Sequence, residues 1–116
     1  MSDSSPAAVV QAQLDAYNAH DIDALVAIYA DDVEQYNHPA TLLATGSAQL
    51  RARFEVRFAS AKPHAELRHR IVCGNTVIDH ETVRSGAGST ELVAIYDVSG
   101  ARIAKAWFIF GATTAA

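Results

Sequence analysis

The sequence predicts an α+β fold in which three helices cover one face of a curved antiparallel sheet, and three observations carry that expectation. Apolar residues recur at helical spacing through the first half of the chain. The second half consists of strand-like runs rich in β-branched residues. Gly74-Asn75 and Ser99-Gly100 separate those runs as two-residue turns. Helices followed by a strand meander bury their faces against each other as α+β layers.

Each element follows from local pattern. In PAAVVQAQLDAYNAHD, Val10, Leu14 and Tyr17 form one stripe, and Pro6 suits the first turn. Asp21 can cap a second helix, IDALVAIYADD, with Ile22, Leu25, Val26 and Tyr29 along one side. A brief strand is expected from Val33 to about Asn37, followed by a turn-rich loop to Gly46. From Ser47, the spacing of Leu50, Phe54 and Phe58 gives a third helix that Lys62 and Pro63 end. Arg51, Arg53 and Arg57 fall on its other faces and read as its solvated side. Four strands complete the meander: HAELRHRIVC, TVIDHETVRS, STELVAIYDV and ARIAKAWFIF.

Composition narrows the function. The 116 residues suit a single domain, 1–116, with 1–6 and 112–116 as loosely ordered tails. A net charge of −4 disfavours a nucleic-acid surface, since phosphate binding needs a positive field. The single cysteine, Cys73, cannot close an internal disulfide. Neither a leader pattern nor a spanning run appears, so no membrane association and a cytoplasmic location are expected. No phosphate loop, nucleophile elbow or zinc spacing is present, so neither cofactor nor metal is expected. Of the five histidines, only His69 and His80 could chelate together, because His64 and His69 point to opposite faces.

The triplet Asp79-His80-Glu81 is the unusual feature. If Gly74-Asn75 is the turn, Arg70 pairs with Asp79, His69 with His80, and Arg68 with Glu81. Alternation then puts Arg68, Arg70, Asp79 and Glu81 on one face, and His69, His80, Ile71 and Ile78 on the other. Periodicity alone leaves open whether the charged face is a solvated set of ion pairs or a site.

The segments YNAHDIDALVAIYADDVEQYNHP, TGSAQLRARF, IVCGNTVIDHE and LVAIYDVSGARIAKAWFIFG, in this order, resemble the nuclear transport factor two-like superfamily, in its SnoaL-like and steroid delta-isomerase-like branch. The resemblance implies a cone-shaped, cystatin-like sheet with an apolar pocket on its concave side, closed by the helices, and a homodimer through its convex side. Gln13, Asn37 and Val93 stand about where ketosteroid isomerases carry a tyrosine, an aspartate base and a protonated aspartic acid. Asparagine accepts no proton at neutral pH and valine donates none, so steroid isomerisation is not implied. The resemblance turns Asp79, Glu81, Val83, Val93, Ile95, Ala106, Phe108 and Phe110 inward. It leaves Trp107, Ile109, Tyr96, His69 and His80 for the convex face and its second copy.

The expected ligand is a small apolar molecule bearing a carbonyl or carboxylate. As an isomerase or cyclase, the protein would remove a proton beside a carbonyl, with Glu81, Asp79 or His38 as base and Arg70 or a tyrosine hydroxyl stabilising the enolate. Tyr17, Tyr36, Asn37, Phe54, Arg68, Val83, Val93, Ile95, Phe108 and Phe110 would line the pocket. The alternatives are a ligand-binding module with Arg70 as anion anchor, or a homodimerisation module without turnover.

Overall fold

A computed structural model describes residues 5–86 and 88–115. Helix α1 spans Pro6–Asn18, α2 Ile22–Ile28 and α3 Gly46–Ser60. The strands are β1 Tyr29–Asn37, β2 Thr41–Thr45, β3 His64–Cys73, β4 Thr76–Ser85, β5 Gly88–Ser99 and β6 Arg102–Ala115. They form one curved sheet in the order β2-β1-β6-β5-β4-β3, antiparallel except where β1 runs parallel to β6. Residues 1–4 and 116, assigned to the tails, lie outside the described residues; Pro6 opens α1, and 112–115 continue β6.

Helix starts follow their capping chemistry. The Ser5 hydroxyl accepts from the Ala8 amide at 3.3 Å, and the Asp21 carboxylate accepts from the Ala24 amide at 3.1 Å. At the end of α1, the Asn18 amide exchanges two hydrogen bonds with the Ala65 backbone, at 3.0 and 2.8 Å, standing in for a neighbouring strand and fixing α1 to β3. His20 adds a contact to the Pro63 carbonyl at 2.8 Å.

Three elements depart from the sequence expectation. Helix α2 ends at Ile28, and Tyr29 opens a longer β1, because its 1% exposed ring sits in the core opposite Ile103; tertiary burial outweighs the helical spacing. The loop expected before Gly46 contains β2, an edge strand whose mostly exposed Thr-Leu-Leu-Ala-Thr sequence carries little alternation. The β5–β6 turn is Gly100-Ala101, one residue later than expected, with φ of 57° and 68°. This is the left-handed geometry that a tight hairpin requires.

The core has two parts. The larger packs Val9, Val10, Leu25, Tyr29, Leu50 and Phe54 of the helical layer and β1 against Val77, Tyr96 and Ile103 of the sheet. The smaller joins Leu14, Ala65, Val83 and Leu92. Tyr17 and Phe108 touch both and are themselves only partly buried.

Candidate functional site

The β3–β4 hairpin sets the site. Gly74, at φ 59°, starts the two-residue turn, and Cys73 pairs with Thr76, Arg70 with Asp79 and His69 with His80. Along β4, Val77, Asp79, Glu81 and Val83 are buried, while Ile78, His80 and Thr82 are not. The expected inward direction of Asp79 and Glu81 is therefore observed. Asp79 is fully buried and receives both arms of the Arg70 fork, Nε at 2.7 Å and the second terminal nitrogen at 2.9 Å. A third Arg70 nitrogen donates to Gln11 Oε1 on α1 at 2.9 Å, and Gln11 donates onward to Asp15 at 2.9 Å. A buried charge this well paired is tolerable; an unpaired one is not.

Glu81 lies next along the inner face, 4% exposed, with neither an ion pair nor a hydrogen-bond donor among the described residues. Burial, and next the negative Asp79 beside it, raise its carboxyl to about 7, against a smaller lowering by Arg70. A carboxyl titrating there can hold or accept a proton near neutrality.

Strand pairing lays out the concave wall in rows. One ladder runs Asn37, Phe108, Ala94, Asp79, Arg70, and the next runs Phe110, Leu92, Glu81, Leu67. From α1, Gln13 and Leu14 lie about one turn before Tyr17 on the facing side. Arg57 Nε donates to the Tyr17 hydroxyl oxygen at 3.2 Å, leaving the Tyr17 proton free to be donated. Burial raises the hydroxyl pKa of Tyr17, Tyr29 and Tyr96, and the Glu81 charge adds to each. The Gln13 and Gln35 amides flank the Tyr29 hydroxyl, and Arg53 Nε donates to Gln35 Oε1 at 3.2 Å. Gln13 Oε1 and Asn37 Oδ1 are buried acceptors with no partner among the described residues.

Several expected site residues lie elsewhere. Arg68 does not pair with Glu81: a bulge pairs Leu67 with Glu81 and ejects Arg68 to the exposed side, where it donates to Thr82 at 3.0 Å. Val93 and Ile95 pair with His80 and Ile78 on the outer face, and Leu92, Ala94 and Tyr96 are the inward set. The resemblance turns them inward; a register shift that leaves Ala104 unpaired between Ile103 and Lys105 puts them on the other side. Tyr96 accordingly leaves the outer face. Tyr36 stacks on Trp107 outside, with centroids 6.0 Å apart, and exposed His38 follows the end of β1. Tyr17, Asn37, Phe54, Val83 and Phe108 sit on the inner side; Phe110 joins their ladder but is 59% exposed. Arg53 and Arg57 are exposed, as expected, and also donate to Gln35 and Tyr17. Gln11 and Gln35 were not singled out for the site, although Gln35 shares the parity of Asn37, the one signal that could have found it.

Among the described residues no three histidines, cysteines or carboxylates are grouped to hold a metal. On the outer face, the His69 and His80 rings stack at 5.9 Å, and His80 Nε2 meets Glu91 at 2.8 Å, a carboxylate not anticipated there. Concavities of about 370 and 380 Å³ lie over this outer region, separate from the buried carboxylates.

With this geometry, the family model for the SnoaL-like domain matches residues 10–106. The chain belongs to that family. Its fold is nuclear transport factor two-like. An uncharacterised cystatin-fold protein from Novosphingobium aromaticivorans is 26% identical with a TM-score of 0.83, covering 90% of this chain and 97% of that one. A polyketide cyclase by provisional assignment from Sinorhizobium meliloti is similar at 20% identity and TM-score 0.78, covering 87% and 93%. An epoxide hydrolase from M. tuberculosis is similar at 18% identity and TM-score 0.75, covering 89% and 80%. No curated protein matches the sequence. No helix of the described residues is long and apolar enough to cross a membrane.

Proposed function

We propose that this SnoaL-like domain is an isomerase or cyclase in which Glu81 removes a proton beside the carbonyl of a small, largely apolar substrate. The observation that carries the reading is a buried carboxyl on the concave face that titrates near 7 and has no hydrogen-bond donor among the described residues. The Glu81 carboxylate takes the α-proton, and the C–H electron pair becomes the double bond of an enolate whose charge rests on oxygen. Tyr17, its oxygen already holding the Arg57 hydrogen bond, donates to that oxygen. Returning the proton at another carbon gives isomerisation; attack of the enolate carbon on a second carbonyl gives ring closure. The provisional cyclase name of the Sinorhizobium relative supports this reaction class. Arg70 and Asp79 are positioning residues here, because the Arg70 fork is committed to Asp79. That commitment also disfavours Arg70 as the anchor of a ligand anion.

Exchange of the α-proton of a simple cyclic ketone for deuterium tests the reading. Wild type exchanges with a rate that rises with pH through about 7 and then levels, because the base works ionised. Glu81→Gln slows exchange by roughly 10²–10⁴-fold. Equal rates would remove Glu81 from the chemistry.

A second copy of the chain as occupant of the outer face is a separate reading, favoured by exposed Ile71 (60%) and Ile109 (41%) beside Trp107. Light scattering is expected to give a dimer that Ile109→Lys converts to a monomer; a monomeric wild type would end this reading.

A further inference from the structure

We infer that Arg53 and Arg57 of α3 form an anion site that holds a carboxylate on the substrate, so that the reacting molecule is a keto acid rather than a neutral ketone. The inference rests on the Glu81 and Tyr17 chemistry above for the ketone end, and on separate geometry for the acid end.

Charge pairing across the molecule singles out these two residues. Arg51, Arg68, Arg70, Arg84, Arg102 and Lys105 each meet a carboxylate at 3.5 Å or less. Arg53 and Arg57 meet none among the described residues, although the net charge of the chain is −4. Of the other cations only Lys62, past the end of α3, shares this lack. The two arginines are four positions apart, so they lie on one side of the helix with Cβ atoms about 5–6 Å apart. Glu55, the one acid of α3, lies between them in sequence and so faces elsewhere.

Each arginine directly precedes a buried ring, Phe54 or Phe58, and so borders the buried stripe of the helix. From that margin both guanidinium groups send Nε inward, Arg53 to Gln35 Oε1 on β1 and Arg57 to the Tyr17 hydroxyl oxygen on α1, each at 3.2 Å. A guanidinium has five N–H donors. The terminal nitrogens of both have no partner among the described residues, and both residues are exposed, so a ligand reaches them from solvent without any opening of the core. The Nε bonds fix the two groups before a ligand arrives, which lowers the cost of ordering them. Their free N–H groups match the planar geometry of a carboxylate. Partial withdrawal from water also lowers the Arg53 pKa below the ordinary guanidinium value, against a smaller rise from Tyr29. A cation placed there without a carboxylate gains from an anion that the ligand supplies.

Position then defines the substrate. Arg57 Nε holds the oxygen of Tyr17, whose proton goes to the enolate, and the Glu81 charge acts on that same hydroxyl. An acid on the Arg57 terminal nitrogens and a carbonyl on Tyr17 are thus separated by one guanidinium and one hydroxyl. The carboxylate belongs a few bonds from the carbonyl. Arg70, committed to Asp79, cannot take its place.

Three probes test the site: 3-oxocyclohexanecarboxylate, its methyl ester and cyclohexanone, titrated by calorimetry at low and high salt, with deuterium exchange beside the carbonyl followed in parallel. The wild type is expected to bind the acid about tenfold tighter than the ester at low salt, with the preference shrinking at high salt. Replacing both arginines, Arg53→Gln with Arg57→Gln, should bring the preference to nearly one, and Arg53→Lys with Arg57→Lys should keep part of it. Because the ligand series is measured on wild type, a folding defect in a variant leaves the comparison intact. Equal affinity for acid and ester, tighter binding of the ester, binding of none of the three, a preference indifferent to salt, or one that survives in the folded double glutamine variant would overturn the inference. An acid preference lost in that variant, with exchange unaffected by Glu81→Gln, would sink the proposed proton transfer and leave the anion site standing.

Discussion

Asp79 and His80, adjacent on one strand, each meet an oppositely charged or chargeable partner at nearly equal distance on opposite sides of it. Inside, Arg70 meets Asp79 at 2.7 Å; outside, His80 meets Glu91 at 2.8 Å. The contact distance does not distinguish them, but burial does. Asp79 is 0% exposed and its partner 16%, whereas the His80 and Glu91 side chains are 37% and 53% exposed. Water screens the outer pair and lets either partner find other hydrogen bonds. The inner pair has no such fallback. Alternation along β4 therefore assigns one face a strictly paired charge and the other a dispensable one.

The largest expected effect comes from breaking the inner pair on one side. Arg70→Met leaves the Asp79 carboxylate buried without its fork and should cost about 3–5 kcal/mol in urea denaturation. A loss below about 1 kcal/mol would mean that the two faces are equivalent.

Glu81 sharpens the contrast through pH. Its carboxyl titrates near 7 in the fold, against 4.5 as the reference value. The folded state therefore binds the proton more tightly than the unfolded chain, so the stability linked to Glu81 is complete below about pH 4.5 and is lost as pH rises through about 7. Glu81→Gln removes that dependence. Matched to wild type at acid pH, the variant should be more stable on the order of 3 kcal/mol by about pH 8, for a rise of this size. Parallel stability curves across that window would contradict the buried, unpaired assignment of Glu81.

The smallest effects belong outside. Gly111 lies where a bulge sets Glu91 against two residues of β6, and a Cβ there would come within 2.5 Å of Glu91 Oε1. Gly111→Ala should displace the flexible Glu91 side chain from His80, and Glu91→Gln should remove its charge. Each is expected to change stability by less than about 1 kcal/mol, and the Glu91→Gln effect should shrink further in high salt. A loss comparable to that of Arg70→Met would erase the distinction between the faces.

How much of this was legible in the sequence depended on turn chemistry. Gly74-Asn75 set β3 against β4 as far as His69 and alternation put Asp79 and Glu81 on one face, while the family resemblance supplied the direction of that face. The reading failed at defects that alternation does not encode. The bulge at Arg68 and the shift opposite Ala104 each move one residue out of phase, and the second exchanged Val93 and Ile95 for Leu92, Ala94 and Tyr96 as the inner lining. Tyr36 and Asn37 show the same limit at a smaller scale: adjacent polar residues face opposite ways, and only the β1 to β6 pairing decides which one looks inward. Gln11 and Gln35 were overlooked as chemistry because an amide has no titration to attract notice, although burial makes its hydrogen bonds count most.

The extra residue at Arg68 has a consequence for engineering. A bulge bends its strand and adds twist, so it helps set how far the β3 end of the wall leans toward α1, where Asn18 grips Ala65. Deleting that single position would restore an unbroken ladder while Leu67 and Arg70 keep their sides. The lean of that wall would then be adjusted by the architecture of one strand, with its inward side chains untouched.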